Sequence, residues 1–332
     1  MTPEAQSPLF NTPHAAIRDF AEGDQVEGYY ARRESSLRET RSGGQFIRLT
    51  LGDASGTVPA NVWQKTEDDY ADIGEQYQAL AGAEVLKVRG AVESYRDALQ
   101  VKIARIRPAE MDEVDLAALV PHTPADLDAL VGELQQAIDS LQDPDYAALL
   151  HAIFDDAAFL DAFRRAPAAR NNHHAYVGGL LEHTASLLRV VDRYTQLTPG
   201  LRRDLLVTGA ILHDIGKVEE LHAGVSIEYT DEGSLLGHLT QGILFLEGRL
   251  RDLPDFPREK RNLIYHLILS HHGRHEYGSP VLPAIPEALA LHHIDNLDAK
   301  VYAATKAIRE DTRVDSNWTE RSWMLETRLY KG

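Results

Sequence analysis

The chain has 332 residues, 43% hydrophobic content, a net charge of −17 and no cysteine. Its length favours two domains over one, and the missing thiols exclude disulfides and thiolate metal sites. The acidic balance argues against a basic coat for wrapping duplex DNA. No run of eighteen apolar residues occurs, so no membrane span is expected. The N-terminal MTPEAQSPLF lacks the basic and apolar regions of a signal peptide. The cytoplasm is the expected location.

From residue 14 to 110 the pattern is that of strands. VEGYYARRES, GQFIRLTLGD, GTVPANVWQK, AEVLKVRGAV and DALQVKIARI are five β-rich runs broken by Gly, Asp or Ser. TEDDYADIGEQYQALAG, between the third and fourth, reads as a short helix. This order predicts a five-stranded OB-fold β-barrel. Arg32, Arg33, Arg38, Arg41 and Arg48 stand against only Glu34 and Glu39 over residues 28–48, a basic island in an acidic chain. The first four fall in a loop-like stretch and are the candidates for following a phosphate backbone. Tyr29, Tyr30, Phe46 and Trp63 could stack on bases, although alternate aromatics in a small barrel are more often core, and only one or two are expected at the surface.

Residues 111–123, with an acidic cluster and Pro121, read as a linker. Helical periodicity begins at TPADLDALVGELQQAIDSL, where Thr123 is the expected N-cap and Pro124 the first helical residue. It continues to about 310, interrupted over 222–234 by a loop or short hairpin. The polar tail 311–332 has no evident pattern. The whole is a multi-domain α+β protein, a barrel at 14–110 followed by an all-α domain at 124–310.

Twelve of the fifteen histidines lie between His173 and His293. Helical spacing sorts them, because apolar neighbours at i, i+3, i+4 and i+7 mark the inward face. His183 shares a face with Leu180, Leu187 and Val191, and His213 shares one with Leu206 and Ala210. His238 lies with Leu235 and Leu239. His271 lies with Ile264, Leu267 and Ile268, with His272 one position round. Leu291, Asp295, Asp298 and Tyr302 form one stripe. A single inward histidine is usually a hydrogen-bonded core residue. Five helices each sending an imidazole or carboxylate inward make that explanation insufficient. Burying His213 beside Asp214 costs several kcal/mol unless each group is compensated. A divalent ion would do so, and a donor set of His and Asp suits Mn²⁺, Fe²⁺, Zn²⁺ or a similar ion.

The order H…HD…H…HH…D resembles the HD-domain metal-dependent phosphohydrolases. The resemblance implies that His183, His213, Asp214 and Asp295 hold a first ion. His238 with His271 and His272 would hold a second, and Asp214 would bridge the two. NHHAYVGGLLEHT, LHDIGK, GSLLGH, ILSHHG and LHHIDNLDAK further resemble the YhaM-type 3′→5′ exoribonucleases, in which an OB-fold precedes the HD domain. That likeness covers roughly residues 15–310. It implies two divalent transition-metal ions, Mn²⁺ first among them, and single-stranded RNA as substrate, with single-stranded DNA as an alternative polymer and self-association into a homo-oligomer left open. Asp214 and Lys217 would be catalytic, the latter stabilising phosphoryl charge, although a lysine near a helix end also serves the dipole. His173, His174 and Arg274 are candidates for substrate contact. Asp298 would orient a ligand or simply be an exposed helix charge. Two other readings remain, a phosphodiesterase or phosphatase of small nucleotides and a nucleic-acid-binding adaptor with a structural HD domain.

Overall fold

The computed structural model describes residues 14–40, 43–63, 72–95, 98–170, 173–311, 313 and 315–332. Strand β1 (Gln25–Glu39) buries Val26, Gly28 and Tyr30 while the residues between them face outward, the period-two pattern of a half-buried strand. Its first half pairs with β4 (Val85–Tyr95) and its second half with β2 (Gln45–Asp53), with a bulge between Arg32 and Glu34. β2 continues antiparallel into β3 (Gly56–Val62), and β3 meets β5 (Ala98–Pro108) in a parallel pair at Ala60↔Val101 and Asn61↔Lys102. The result is a closed barrel of order β1-β2-β3-β5-β4, the topology of an OB-fold. Helix α1 (Ile73–Leu80) lies between β3 and β4 and is capped by Asp72, which accepts from the Glu75 amide.

Arg32, Arg33 and Arg38 are not in a loop, because β1 runs on to Glu39 in register with β2. Arg41 lies outside the described residues. Tyr30 is core, 1% exposed, with its hydroxyl donating to the Ala15 carbonyl at 2.9 Å. Tyr29 and Phe46 are half-buried, and Trp63 is 44% exposed.

The chain divides into two units. One runs to Pro121 and includes Gly224–Ser226; the other comprises His122–Ala223 and Ile227–Gly332. Over 111–123 lie a 3₁₀ turn and the short helix α2 (Leu116–Leu119). Helix α3 (Leu127–Asp139) starts later than Thr123 and Pro124 suggested. Asp126 is its cap, accepting from the amides of Asp128 and Ala129. The Thr123 hydroxyl instead bonds the Glu182 carboxylate, a partner 59 positions away that local pattern could not show.

Then follow α4 (Pro144–Phe154), α5 (Ala157–Arg165), α6 (Gly179–Leu197), α7 (Arg203–Leu212) and α8 (Lys217–Glu220). A hairpin of β6 (Leu221–Ala223) and β7 (Ile227–Tyr229) leads to α9 (Asp231–Leu250), α10 (Arg258–Ser270) and α11 (Pro286–Glu310). Leu180, Leu187, Val191, Leu206, Ala210, Ile264, Leu267, Ile268 and Leu291 are all essentially inaccessible and share one core. Each buried Leu or Ile contributes about 1.5–3 kcal/mol of transfer free energy, so α6, α7, α10 and α11 are firmly fixed. α9 is broken at Gly237, whose φ of 70° and ψ of 156° lie outside the helical region. The helical register therefore does not carry across that residue. Leu235, expected inward with His238, is 82% exposed.

Candidate metal centre

α6 carries His183 into the core at 0% exposure, and the end of α7 does the same for His213. The His213 amide still donates to the Gly209 carbonyl, 2.8 Å away, which continues the helical ladder. Its Nδ1 lies 2.9 Å from the Ala210 carbonyl. A carbonyl can only accept, so that nitrogen holds the proton and Nε2 presents a lone pair to the interior. His271, at the end of α10, repeats the device with Nδ1 2.8 Å from the Ile268 carbonyl. His183 and His238 are oriented instead by carboxylates: His183 Nδ1 lies 2.8 Å from Asp298 Oδ2, and His238 Nδ1 lies 3.1 Å from Glu220 Oε1.

These constraints turn the Nε2 atoms toward Asp214, which is 3% exposed. Its Oδ2 lies 3.3 Å from His213 Nε2 and 4.0 Å from His183 Nε2. Its Oδ1 lies 3.6 Å from both His238 Nε2 and His271 Nε2. Asp295 Oδ1 approaches His183 Nε2 at 3.2 Å, and His272 Nε2 approaches His238 Nε2 at 3.3 Å. His183, His213 and Asp214 have ligand atoms close enough to share one ion; so do His213, His271 and Asp295, and also His238, His271 and His272. Atoms held 2.0–2.2 Å from one ion are spaced by about 3–3.5 Å; the separations of 3.2–3.3 Å fall in that range, and those of 3.6–4.0 Å are slightly wider.

Two observations test whether cations fit. Asp214 Oδ1 is buried without a hydrogen-bond partner, a costly state for a carboxylate oxygen. The second is His183 Nε2 facing His213 Nε2 at 3.3 Å. Divalent ions between these atoms satisfy both, and nitrogen and oxygen donors without thiolate match the borderline and harder divalent metals. Charged side chains of the protein also face these atoms. The Lys217 ammonium lies 2.6 Å from Asp214 Oδ2. Burial opposes ionisation of Asp214, but Lys217 and His213 outweigh it and hold the carboxyl well below the usual range. Burial would likewise depress His183, yet Asp295 and Asp298 raise it to about 9. His271 stays well below its ordinary value through burial and repulsion by His213 and His272.

The glycines explain how the helices come so close. A Cβ on Gly216 would lie 2.1 Å from the His238 carbonyl oxygen, so the LHDIGK turn needs glycine where α9 crosses it. The positive φ at Gly237 then sets the backbone from which His238 enters.

The remaining candidates fall differently. His173 stands over the first group, its ring 5.3 Å from that of His183, with a buried Nδ1 that has no partner. Burial and then the Lys217 charge lower its pKa to about 3. His174 is 5% exposed in the left-handed region with φ 52°, and its ring lies 2.5 Å from the Tyr176 hydroxyl and 3.3 Å from Asp298 Oδ2. Asp298 thus holds both His183 and His174, and Ser186 donates to its other oxygen at 2.5 Å. Arg274 is exposed, its guanidinium 5.9 Å from the Tyr277 ring. In the barrel, Arg32 donates to the carbonyls of Ala83 and Ala81 and to Ser35, and Arg33 donates to the Leu119 carbonyl. Arg38 reaches the Ser36 hydroxyl. Glu220 was not foreseen. Beside Glu219 after a lysine it looks like an ordinary charge on a short helix, and only the fold brings His238 to it.

This arrangement is that of an HD domain, and the HD-domain family model matches residues 176–300. A model described as a helicase matches 123–198, a stretch with no Gly-Lys-Ser/Thr phosphate-binding loop. The 3′-5′ exoribonuclease YhaM of Bacillus subtilis strain 168 is 36% identical over 93% of this chain and 95% of its own length. That of Oceanobacillus iheyensis is 33% identical over 93% and 94%, and that of Shouchella clausii 34% over 95% of each. The chain belongs to the YhaM 3′-5′ exoribonuclease family. Among solved structures, the second OB-fold domain of replication protein A from Methanococcus maripaludis is 16% identical over 29% of this chain and 94% of its own, with a TM-score of 0.21. The barrel assignment rests on its own strand order.

Proposed function

We propose that the chain is a metal-dependent phosphodiesterase that removes nucleotides from the 3′ end of single-stranded RNA, acting in the cytoplasm with Mn²⁺ as its preferred ion. The observation that carries this reading is the division of Asp214, one oxygen facing His183 and His213, the other facing His238 and His271. His183, His213, Asp214 and Asp295 would hold one ion, and Asp214, His238, His271 and His272 the other. Such a pair supplies an activated water and neutralises phosphoryl charge.

The chain's own groups do the rest. Asp298 and Glu220 hold their histidines in the tautomer that leaves Nε2 free, an arrangement that tunes both orientation and basicity. Lys217 keeps its proton despite burial, because Asp214 stabilises the ammonium. It can therefore offer a fixed positive charge where a phosphoryl group gains negative charge. His173 lies next to the first group with an uncommitted ring nitrogen, positioned to contact phosphate or ribose. No described helix is long and apolar enough to cross a membrane.

The test uses 5′-labelled RNA and DNA 20-mers with Mn²⁺, Mg²⁺ or chelator. Stepwise shortening of RNA from the 3′ end with Mn²⁺, abolished by chelator and by Asp214→Ala, is expected. Turnover of mononucleotide esters with no shortening of either polymer would return the small-nucleotide reading.

A further inference from the structure

The arginines singled out on β1 are spent largely on backbone carbonyls, but the barrel carries a second basic surface. β4 and β5 hold Lys87, Arg89, Lys102, Arg105 and Arg107 against Glu93 alone. Their register sets Arg89 directly opposite Arg105, and Lys87 directly opposite Arg107. Like charges in that relation destabilise a sheet. At the second pair Glu113 compensates, binding the Arg107 guanidinium through two contacts of 2.9 Å. At the first, Glu27 is the neighbour of Arg89 on β1, yet Arg89 forms no ion pair or side-chain hydrogen bond among the described residues. The same holds for Lys102.

The backbone is shaped around this charge. Between Gly90↔Ile103 and Arg89↔Arg105 the ladder slips by one residue, leaving Ala104 as a bulge. Bulges re-aim side chains, and here both Ala104 and Arg105 face solvent. Gly90 is required at the slip, since a Cβ there would lie 2.5 Å from the Lys102 carbonyl oxygen. The face is concave. A groove of about 700 Å³ runs past Arg89, Lys102 and Arg105 to Tyr95 and Trp63. A smaller hollow continues it past Lys87, sharing Arg89 and Arg105. Trp63 is backed by Phe46, ring centroids 4.4 Å apart and planes at 18°, which fixes the indole while leaving it 44% exposed. Tyr95 is 57% exposed. Glu93 accepts from Gln100 at 2.7 Å, and Gln100 in turn accepts from Asn61 at 2.9 Å, so the one acid is engaged in an amide chain.

We infer that this β4–β5 groove is the seat of single-stranded RNA, with Arg89, Lys102 and Arg105 on phosphates and Trp63 and Tyr95 under bases. The choice of RNA as the polymer rests on the exoribonuclease reading; the location rests on the barrel alone. Cations concentrated by register answer a polyanion. A braced, exposed indole answers a flat base, and only a single strand can present a base face to it. An acidic peptide would use the cations and leave the aromatic platform idle.

The experiment measures anisotropy of a fluorescein-labelled RNA 12-mer with the full-length chain, free divalent ions withheld so that the strand survives. Arg105→Glu is expected to weaken binding at least about fivefold at 0.1 M salt and to flatten the slope of log K against log[salt] by about 0.7 or more. The same substitution replaces the like-charge apposition by a carboxylate opposite Arg89, and the unfolding midpoint is measured on the same samples. Loss of affinity without loss of stability separates ligand contact from a structural role. Trp63→Ala should cost about 5- to 150-fold, the range for one stacked base. Unchanged affinity and salt slope in both folded variants, while wild type binds and shortens RNA, overturns the groove and leaves the activity standing. A wild type that neither binds nor shortens RNA overturns both. Equal weakening by Arg105→Glu for an acidic peptide, with no effect of Trp63→Ala on RNA, marks a general anion surface and also overturns it.

Discussion

Replacing Asp214 by Asn keeps the shape of the side chain and removes its charge. The Lys217 Nζ lies 2.6 Å from Asp214 Oδ2, with side chains only 12% and 4% exposed. The substitution leaves an ammonium nearly out of reach of water. Removing one partner of a buried pair costs about 3–5 kcal/mol. For a domain of this size each kcal/mol moves the midpoint by about 2–4 °C, so a fall of roughly 6–20 °C follows. Scanning calorimetry in chelator, on wild type, D214N and D214N/K217M, measures it. The double variant should recover most of the loss, because the stranded charge is gone. A D214N midpoint within about 2 °C of wild type would refute the reasoning, since the pair would then contribute under about 1 kcal/mol.

Asp298→Asn and Glu220→Gln remove the carboxylates that orient His183 and His238, and each should weaken Mn²⁺ binding by about 10–100-fold. Titration calorimetry that finds wild-type affinity in both would remove their orienting role. Glu287 is buried and binds Arg202 through its backbone amide and guanidinium at 2.8–3.1 Å. Burial raises its pKa, but the Arg202 contacts outweigh that and lower it below the ordinary 4.5. A depressed carboxylate stabilises the fold above its unfolded-state pKa and loses that contribution as pH falls through the folded value. Wild type should therefore exceed Glu287→Gln by about 1–2 kcal/mol at pH 7, the guanidinium being half exposed, and the gap should close below pH 4.5. Urea unfolding from pH 7 to 3 shows whether it does.

Much of the centre was legible in the sequence because helical periodicity is a local property. His183, His213 and His271 each continue an apolar stripe, and a residue on that stripe faces the core whichever helix lies across from it. The barrel's five strands were legible for the same reason, from alternation, with the helix between the third and fourth; the pairing order β1-β2-β3-β5-β4 came only with the fold. Other features depended on partners far along the chain. Asp298 binds His183 from 115 positions away, and Arg32 meets the carbonyl of Ala83 from 51. Nothing within either segment announces such a partner. Glu220 looked like surface charge until α9 brought His238 to it, and Leu235 left the inward face because Gly237 breaks the helix. The two Asp214 oxygens acquire different neighbours only when α6, α7, α9 and α10 converge. The opposition of Arg89 and Arg105 likewise exists only once β4 and β5 pair with Ala104 bulged between them. Periodicity determines which way a side chain points relative to its own element; what it meets there is decided by packing.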